Sequence, residues 1–394
     1  MSVLASGTIV RATVGALCLS AVASVDTANV AVVARHAAGP DTIAPADDWL
    51  DDGPHIYWET PSRAIVFHLC NRLVIANRYA RVRGTLRFHG FCSDSATEYV
   101  IAARAPRIES DNYSRVSKFF AVSDIHGEYE ALVDLLQAAG IIDQDLQWSW
   151  GEGHLVIVGD IFDRGDKVTE CLWLLYRLEK EAREADGRVH VMLGNHEVMV
   201  LQNDVRYVNE KYSEGIVKAT GITYSDLYGP DMELGRWLRS KHTAIKLNDM
   251  LFVHGGLPPV TAENDVSVRA LNELTRETID ARSYVRAFNE PVRKHYGDTG
   301  EGPFWFRGYH DGQNSGYPHV TSEQIDSILD AYDVGTIVVG HTEVDRIESL
   351  YDGRVIGIDV RLEDLGSFQG LLWNEGHLFR VLGDGTRESL AGEG

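Results

Sequence analysis

From Phe119 onward the sequence predicts an α/β or α+β layered domain, with a small β-module in front of it. Three observations carry this. After Phe119, short apolar runs alternate with amphipathic stretches, the pattern of strands laid against covering helices. From Ile56 to Ala105 there are only short β-prone runs separated by charged or Gly-containing breaks. And five of the later apolar runs stop at the same few residue types: Asp, His and Asn, each beside Gly.

The elements follow in chain order. Met1–Ala23 holds one Arg11, no acid and the apolar run Ala12–Ala23, which closes in the small-x-small triplet Ala21-Val22-Ala23. That run is too short to span a bilayer and fits a cleaved secretory leader, so an exported, periplasmic or secreted protein is expected. Residues 24–54 are Ala-, Asp- and Pro-rich and read as a linker. Residues 55–106 form the β-module, with runs at Ala64–Cys70, Leu73–Ala76, Thr85–Phe91 and Tyr99–Ala103, and 107–118 read as a second linker. Residues 119–394 form the large domain. Within it, Tyr129–Ala139 places Leu132, Leu135, Leu136 and Ala139 on one helical face, and Val168–Arg183 does the same with Val168, Leu172, Leu175 and Leu178.

Composition narrows the partners. A formal net charge of −21 argues against nucleic acid or an anionic membrane as a general partner, because cationic side chains dominate phosphate-backbone binding. No later segment is long and apolar enough to span a membrane, and nothing fixes an oligomeric state. Beyond the leader, Cys70 and Cys92 both lie in the β-module and could pair, whereas Cys171 sits on an apolar helical stretch and reads as a buried thiol. The spacing Cys171 to Arg177 encloses Leu-Trp-Leu-Leu-Tyr, with no glycine to cradle a phosphate, so it is not a cysteine-phosphatase loop.

The strand ends carry the chemistry. KFFAVS runs into Asp124 and His126, HLVIVG into Asp160, Asp163 and Arg164, VHVML into Asn195, His196 and Glu197, MLFV into His254, and TIVVG into His341. In layered α/β sheets the carboxyl ends of strands share an edge, so residues more than 200 positions apart would converge there. Carboxylates, neutral imidazoles and one amide oxygen make a mixed N/O donor set suited to Mn, Zn or Fe rather than calcium. There are too many donors for one ion and about enough for two. Singly, each piece has an ordinary explanation: a solvated turn, a tight glycine turn, an Asn helix cap. The ordered set does not. Glu197 reads as a buttress of its turn, and His295, His310 and His319 lie in polar loops without ligand spacing.

The segments SDIHG, GDIFDRG, GNHE, HGG and GHT, in this order, resemble the metallophosphoesterase superfamily and within it the PPP-type protein phosphatases. Ser123 stands where that pattern has Gly. GEGHLVIVGDIFDRG, GRWLRSKHTAIKLND and GPFWFRGY are similar to the Shewanella-like branch, which has tyrosine-directed members, over roughly Phe119 to Leu390. The resemblance implies a layered, metallophosphoesterase-like β-sandwich flanked by helices, holding two divalent ions. Asp124, His126 and Asp160 would hold one ion; Asp160, Asn195, His254 and His341 would hold the other. Two cations lower the pKa of a shared water to give a nucleophile near neutral pH. Arg164 matches the phosphate-binding arginine, with Arg307 as candidate for the second and Asn195 also contacting substrate. His196 would act as general acid, oriented by Asp163. The implied activity is phosphomonoester hydrolysis on a phosphorylated protein or peptide, phosphotyrosine preferred. Two rivals stay open: a dinucleoside polyphosphate hydrolase with the same metal core, and an exported binding module with a structural metal site.

Overall fold

The computed structural model describes residues 30–33, 51–92, 95–280, 294–296, 302–310, 318–360 and 368–390. The expected leader and most of the first expected linker lie outside the described residues.

Two six-stranded mixed sheets stack face to face. The first runs, in spatial order, Arg188–Val191, His154–Ile157, Lys118–Val122, Gln369–Asn374, His377–Leu382 and Arg387–Ser389. Its first three strands are parallel and its last three join antiparallel. The second runs Glu348–Leu350, Val355–Gly357, Thr336–Val339, Met250–Val253, Ala244–Leu247 and Asn112–Tyr113. The three strands Val355–Gly357, Thr336–Val339 and Met250–Val253 are parallel to one another.

The continuous apolar runs of the sequence are explained by burial on both faces. Along Lys118–Val122, Phe119 and Ala121 point into the layer between the sheets, while Phe120 and Val122 pack under the helices outside. Val156 and Val158 repeat the inward set against Leu155 and Ile157. From the second sheet Phe252, Val338 and Ile356 face inward, and Leu251, Val253, Ile337, Val339 and Val355 face their own helices. The rings of Phe119 and Phe252 meet edge-on across the layer at 5.2 Å. Burying each such side chain contributes roughly 1.5–3 kcal/mol. Helices Tyr129–Ala138 and Val168–Glu184 cover the first sheet with Leu132, Leu135, Leu136, Leu172, Leu175 and Leu178. Val268–Thr278 and Ser322–Tyr332 cover the second. No helix among the described residues is long and apolar enough to cross a membrane.

The β-module is a four-stranded antiparallel sheet, ordered Val30–Val33, Leu73–Tyr79, Arg63–Cys70 and Asp52–Thr60, with a hairpin of Thr85–His89 and Glu98–Ala102. Both expected linkers turn out to contain strands. Val30–Val33 and the start of Asp52–Thr60 fall within 24–54, and Asn112–Tyr113, within 107–118, pairs with Ala244–Leu247 at the rim of the second sheet. Two or four residues at a sheet edge carry too little periodicity to be read from sequence. The module is docked, not tethered. Ile56, Val66, Phe88 and Ile101 share one core with Trp173 and Leu174 of the Val168–Glu184 helix. Trp58 Nε1 donates to Glu233 Oε2 at 2.6 Å, and Trp173 Nε1 donates to the Pro54 carbonyl at 2.9 Å.

Cys70 and Cys92 are bonded, with Cα atoms 5.9 Å apart, and Cys171 is a free buried thiol whose pKa burial pushes well up. Closing a loop of this length stabilises a fold by roughly 3 kcal/mol in the chain-entropy model. Protein beginning at residue 24 and produced under oxidising conditions should therefore show one reactive thiol when denatured without reductant. Three would contradict the bond.

Candidate active site

The carboxyl ends of both sheets' parallel strands meet at one edge, and their loops are stitched together there. The Asp124 N–H donates to the Gly159 carbonyl (3.1 Å), that of His126 to Asp160 (3.0 Å) and that of Gly127 to Ile161 (2.9 Å); Gly165 donates back to His126 at 2.8 Å. The cost of this geometry is visible in the backbone. Asp124 (φ 54°), His126 (48°), Asp160 (55°), Asp163 (70°), Arg164 (64°) and His341 (64°) all lie in the left-handed region. Non-glycine residues there cost of order 1–3 kcal/mol each and persist only where their surroundings over-determine them. Two glycines are needed for close approach: a Cβ on Gly194 would collide with the Asp160 carboxylate, and one on Gly340 with Ser123 and Asp124.

Asp160 is the centre. It is 1% exposed. Its Oδ1 accepts the His196 N–H at 2.9 Å, and its Oδ2 lies 3.2 Å from His254 Nε2, 3.8 Å from His196 Nε2 and 4.0 Å from His126 Nε2. Burial raises the carboxyl, but the imidazoles around it, His254 first, outweigh burial and hold it well below the usual carboxylate range. In turn, burial lowers His254 while Asp160 and Asp124 push it up to about 10. At His126 and His341 the Asp160 charge does not outweigh burial, which drives His126 down to about 3 and His341 well below its ordinary value. Both are neutral imidazoles, the form that ligates metal.

Carbonyls fix their orientation. His126 Nδ1 bonds the Phe162 carbonyl at 2.7 Å and His254 Nδ1 the Val158 carbonyl at 2.8 Å, which leaves each Nε2 facing Asp160. The Nε2 atoms of His126 and His341 are buried without a hydrogen-bond partner. Leaving such atoms unsatisfied costs about 1–3 kcal/mol each, so this donor set fits divalent ions. Among the described residues, two groups have ligand atoms within 4.8 Å of one another: His126, Asp160 and His196, and Asp160, His254 and His341. Asp160 is common to both. Asn195 Oδ1 adjoins the second, 2.8 Å from His254 Nε2. Asp124, expected with His126, lies at the edge of the first, its Oδ1 3.9 Å from His126 Nε2. His196 has only Nε2 to offer, because its Nδ1 is bonded to Asp163 Oδ2 at 2.6 Å. Burial lowers the His196 pKa, but Asp160 and Asp163 outweigh it and favour the protonated ring.

Glu197 holds the loops in place. It is fully buried and accepts N–H bonds from Asp160, Ile161, Phe162 and Gly194 at 2.8, 2.7, 3.2 and 2.6 Å. Burial and the Asp160 charge push its carboxyl up to about 7, against those four donors, which favour the carboxylate. Arg164 is exposed at the rim, in a weak ion pair with Glu343 at 3.7 Å. Arg307 is half-buried and donates from Nη1 to the His341 carbonyl at 2.5 Å.

Several contributors were not apparent in the sequence. Ser123 donates to Asp124 Oδ2 (2.5 Å) and to the Val158 carbonyl (3.2 Å), so it orients the carboxylate although it is no ligand. A sixth strand end, Val355–Gly357, delivers buried Asp359, whose carboxyl burial and Asp124 push well up. The run RVIGID ends like the other five and is its legible signal. Tyr207 and Trp305 form aromatic walls, with ring centroids 5.5 Å from His196 and 5.5 Å from His341. The three histidines set aside lie elsewhere: His295 bonds Thr275 (2.7 Å), His310 bonds Glu348 (3.2 Å) and His319 stacks on Tyr351.

Residues 117–345 match the family model of calcineurin-like phosphoesterases, 229 of the chain's 394 residues. The chain is 30% identical over 240 residues to Shewanella-like protein phosphatase 1 of Plasmodium berghei, covering 59% of this chain and 63% of that protein. It is 36% identical over 99 residues to Shewanella-like protein phosphatase 2 of Arabidopsis thaliana, a quarter of each. The chain thus spans less than two thirds of these two relatives. The solved cold-active protein-tyrosine phosphatase of a psychrophilic Shewanella superposes with a TM-score of 0.78 at 35% identity, covering 86% of this chain and 99% of that one. The chain belongs to the calcineurin-like phosphoesterase family.

Proposed function

We propose that this protein is a metal-dependent phosphomonoesterase acting on phosphorylated protein or peptide, with phosphotyrosine preferred. The carrying observation is a division of labour around Asp160. Neutral imidazoles with unpartnered Nε2 atoms lie beside it, while His196 is tied through Nδ1 to Asp163 and stays available for proton transfer.

Asp124, His126 and Asp160 would hold one divalent ion and Asp160, Asn195, His254 and His341 a second, of the Mn, Zn or Fe class by donor type. When bound, such ions supply Lewis acidity and lower the pKa of a water to near neutrality. The chain's own residues do the rest. Arg164 exchanges its weak Glu343 pair for phosphate oxygens, and Arg307 braces the His341 loop while presenting its remaining N–H donors. Asn195 Nδ2, buried and unpartnered, is a further donor to developing oxyanion charge. His196 Nε2 delivers a proton to the leaving oxygen, and Asp163 holds the ring and stabilises its cationic form. The phosphotyrosine preference is supported by Tyr207, whose half-exposed ring lies beside His196, where a leaving phenol would sit, and by the tyrosine-phosphatase relative. The Cys70–Cys92 bond supports export to an oxidising compartment.

Two outcomes follow. His196→Asn should keep its metal content and lose roughly 10²–10⁴-fold in kcat on phosphoserine peptide. The loss should be much smaller on p-nitrophenyl phosphate, whose leaving group needs no proton. Equal losses on both, at unchanged metal, would mean that His196 positions phosphate and does not donate a proton. Tyr207→Ala should raise KM for phosphotyrosine peptide by about two- to tenfold, the value of one aromatic pair, and leave phosphoserine peptide unchanged. Tyr207→Phe should restore it; a matching rise on phosphoserine would contradict ring recognition.

A further inference from the structure

A cavity of about 420 Å³ lies where the β-module meets the Val168–Glu184 helix, walled by residues of the catalytic machinery on no side. Its volume is in the range of small-ligand sites. From the module come His68, Phe91 and Tyr99; from the helix come Glu170, Trp173 and Tyr176. The aromatic lining is ordered: Tyr99 meets Trp173 edge-on at 5.2 Å, Trp173 meets Tyr176 at 5.2 Å, and Phe91 stands edge-on to His68 at 5.0 Å.

Three residues of this wall carry buried polar atoms that have no hydrogen bond. His68 is 2% exposed and neither ring nitrogen has a hydrogen bond. Burial holds its pKa down to about 3, so the ring is neutral, with one donor and one acceptor to offer. Asp52, also on the wall and 6% exposed, spends Oδ2 on His55 at 2.6 Å, while its Oδ1 has no hydrogen bond and lies 3.8 Å from Lys211. Glu170 is arranged alike: Oε1 is 3.5 Å from Lys211, and Oε2 is buried and unbonded. Each acid thus keeps one oxygen without a hydrogen bond, with Lys211 as their shared cation. Of the two cations on the wall, Lys180 is paired with Glu184 at 2.9 Å, and Arg177 donates to the Leu146 carbonyl at 2.7 Å and lies 3.5 Å from Glu181.

We propose that this junction cavity binds a small organic amine, its ammonium shared between Asp52, Glu170 and His68 and its apolar body against Tyr99, Trp173 and Phe91. The chemistry selects the class. Two carboxylate oxygens and an imidazole acceptor ask for several N–H donors on one centre, which an ammonium supplies and an acid or alcohol does not. Aromatic faces attract cations and reject carboxylates. The site also touches the catalytic loops, since Lys211, between the two acids, donates to the Asp166 carbonyl at 2.5 Å, two residues from Arg164.

Calorimetric titration of the full protein with 2-phenylethylamine, 2-phenylethanol and 3-phenylpropionate tests this. The amine should bind saturably with one equivalent, at least about tenfold tighter than the other two. Glu170→Gln, a change at the partly exposed rim, should weaken it by about tenfold or more, and His68→Phe should act in the same direction. Absence of saturable binding, equal binding of acid or alcohol, or affinity unchanged in both variants would each overturn the proposal. The wild-type comparison decides the case even if His68→Phe fails to fold.

Discussion

The structure depends on one buried charge. Asp160 sits at the junction of two sheets, with one carboxylate oxygen fixed by the His196 N–H and the other facing three imidazole Nε2 atoms within 4.0 Å. An isolated carboxylate cannot be buried in this way without large cost. Everything around it answers that constraint. Imidazoles converge on it from both sheets, Glu197 gathers the N–H groups of its loop, and five neighbours, with Asp160 itself, accept left-handed backbone to aim their side chains. The apolar layer between the sheets, Phe119 against Phe252, is the rigid base that pays for this strain.

The same constraint gives the imidazoles around Asp160 different protonation states. Because Asp163 holds His196 at Nδ1, that ring presents a single nitrogen and sits above the ordinary histidine pKa. At His126 and His341 burial outweighs the Asp160 charge and holds the rings neutral. Identical side chains within one pocket therefore differ in charge through the balance between burial and the carboxylates beside each.

Much of this could be read from the sequence, and for a definite reason. Strands buried on both faces give unbroken apolar runs, so the residues that end them stand out: Asp124, Asp160, Asn195, His254 and His341 are each preceded by such a run. Helix Val168–Glu184 was legible because its apolar spacing is long and regular. What stayed hidden was short, polar or only spatial. Asn112–Tyr113 is two residues of edge strand inside an expected linker, and Ser123 looks like a harmless replacement of glycine until its hydroxyl is seen on Asp124. Asp359 follows the rule of the other strand ends but comes after a three-residue strand. Tyr207 lies in a polar loop, and its place beside His196 depends on a hydrogen bond from the Arg164 N–H to its carbonyl, 43 residues away in sequence.

The central claim is that the Asp160 carboxylate binds both metal groups into one centre. Asp160→Asn preserves shape and the His196 N–H contact but removes the charge. Metal content per chain, measured by plasma mass spectrometry on purified protein alongside kcat on an aryl phosphate, is the direct test. The account predicts that metal falls from two equivalents to about one or fewer and that turnover collapses with it. Two retained equivalents with a near-normal rate would contradict it.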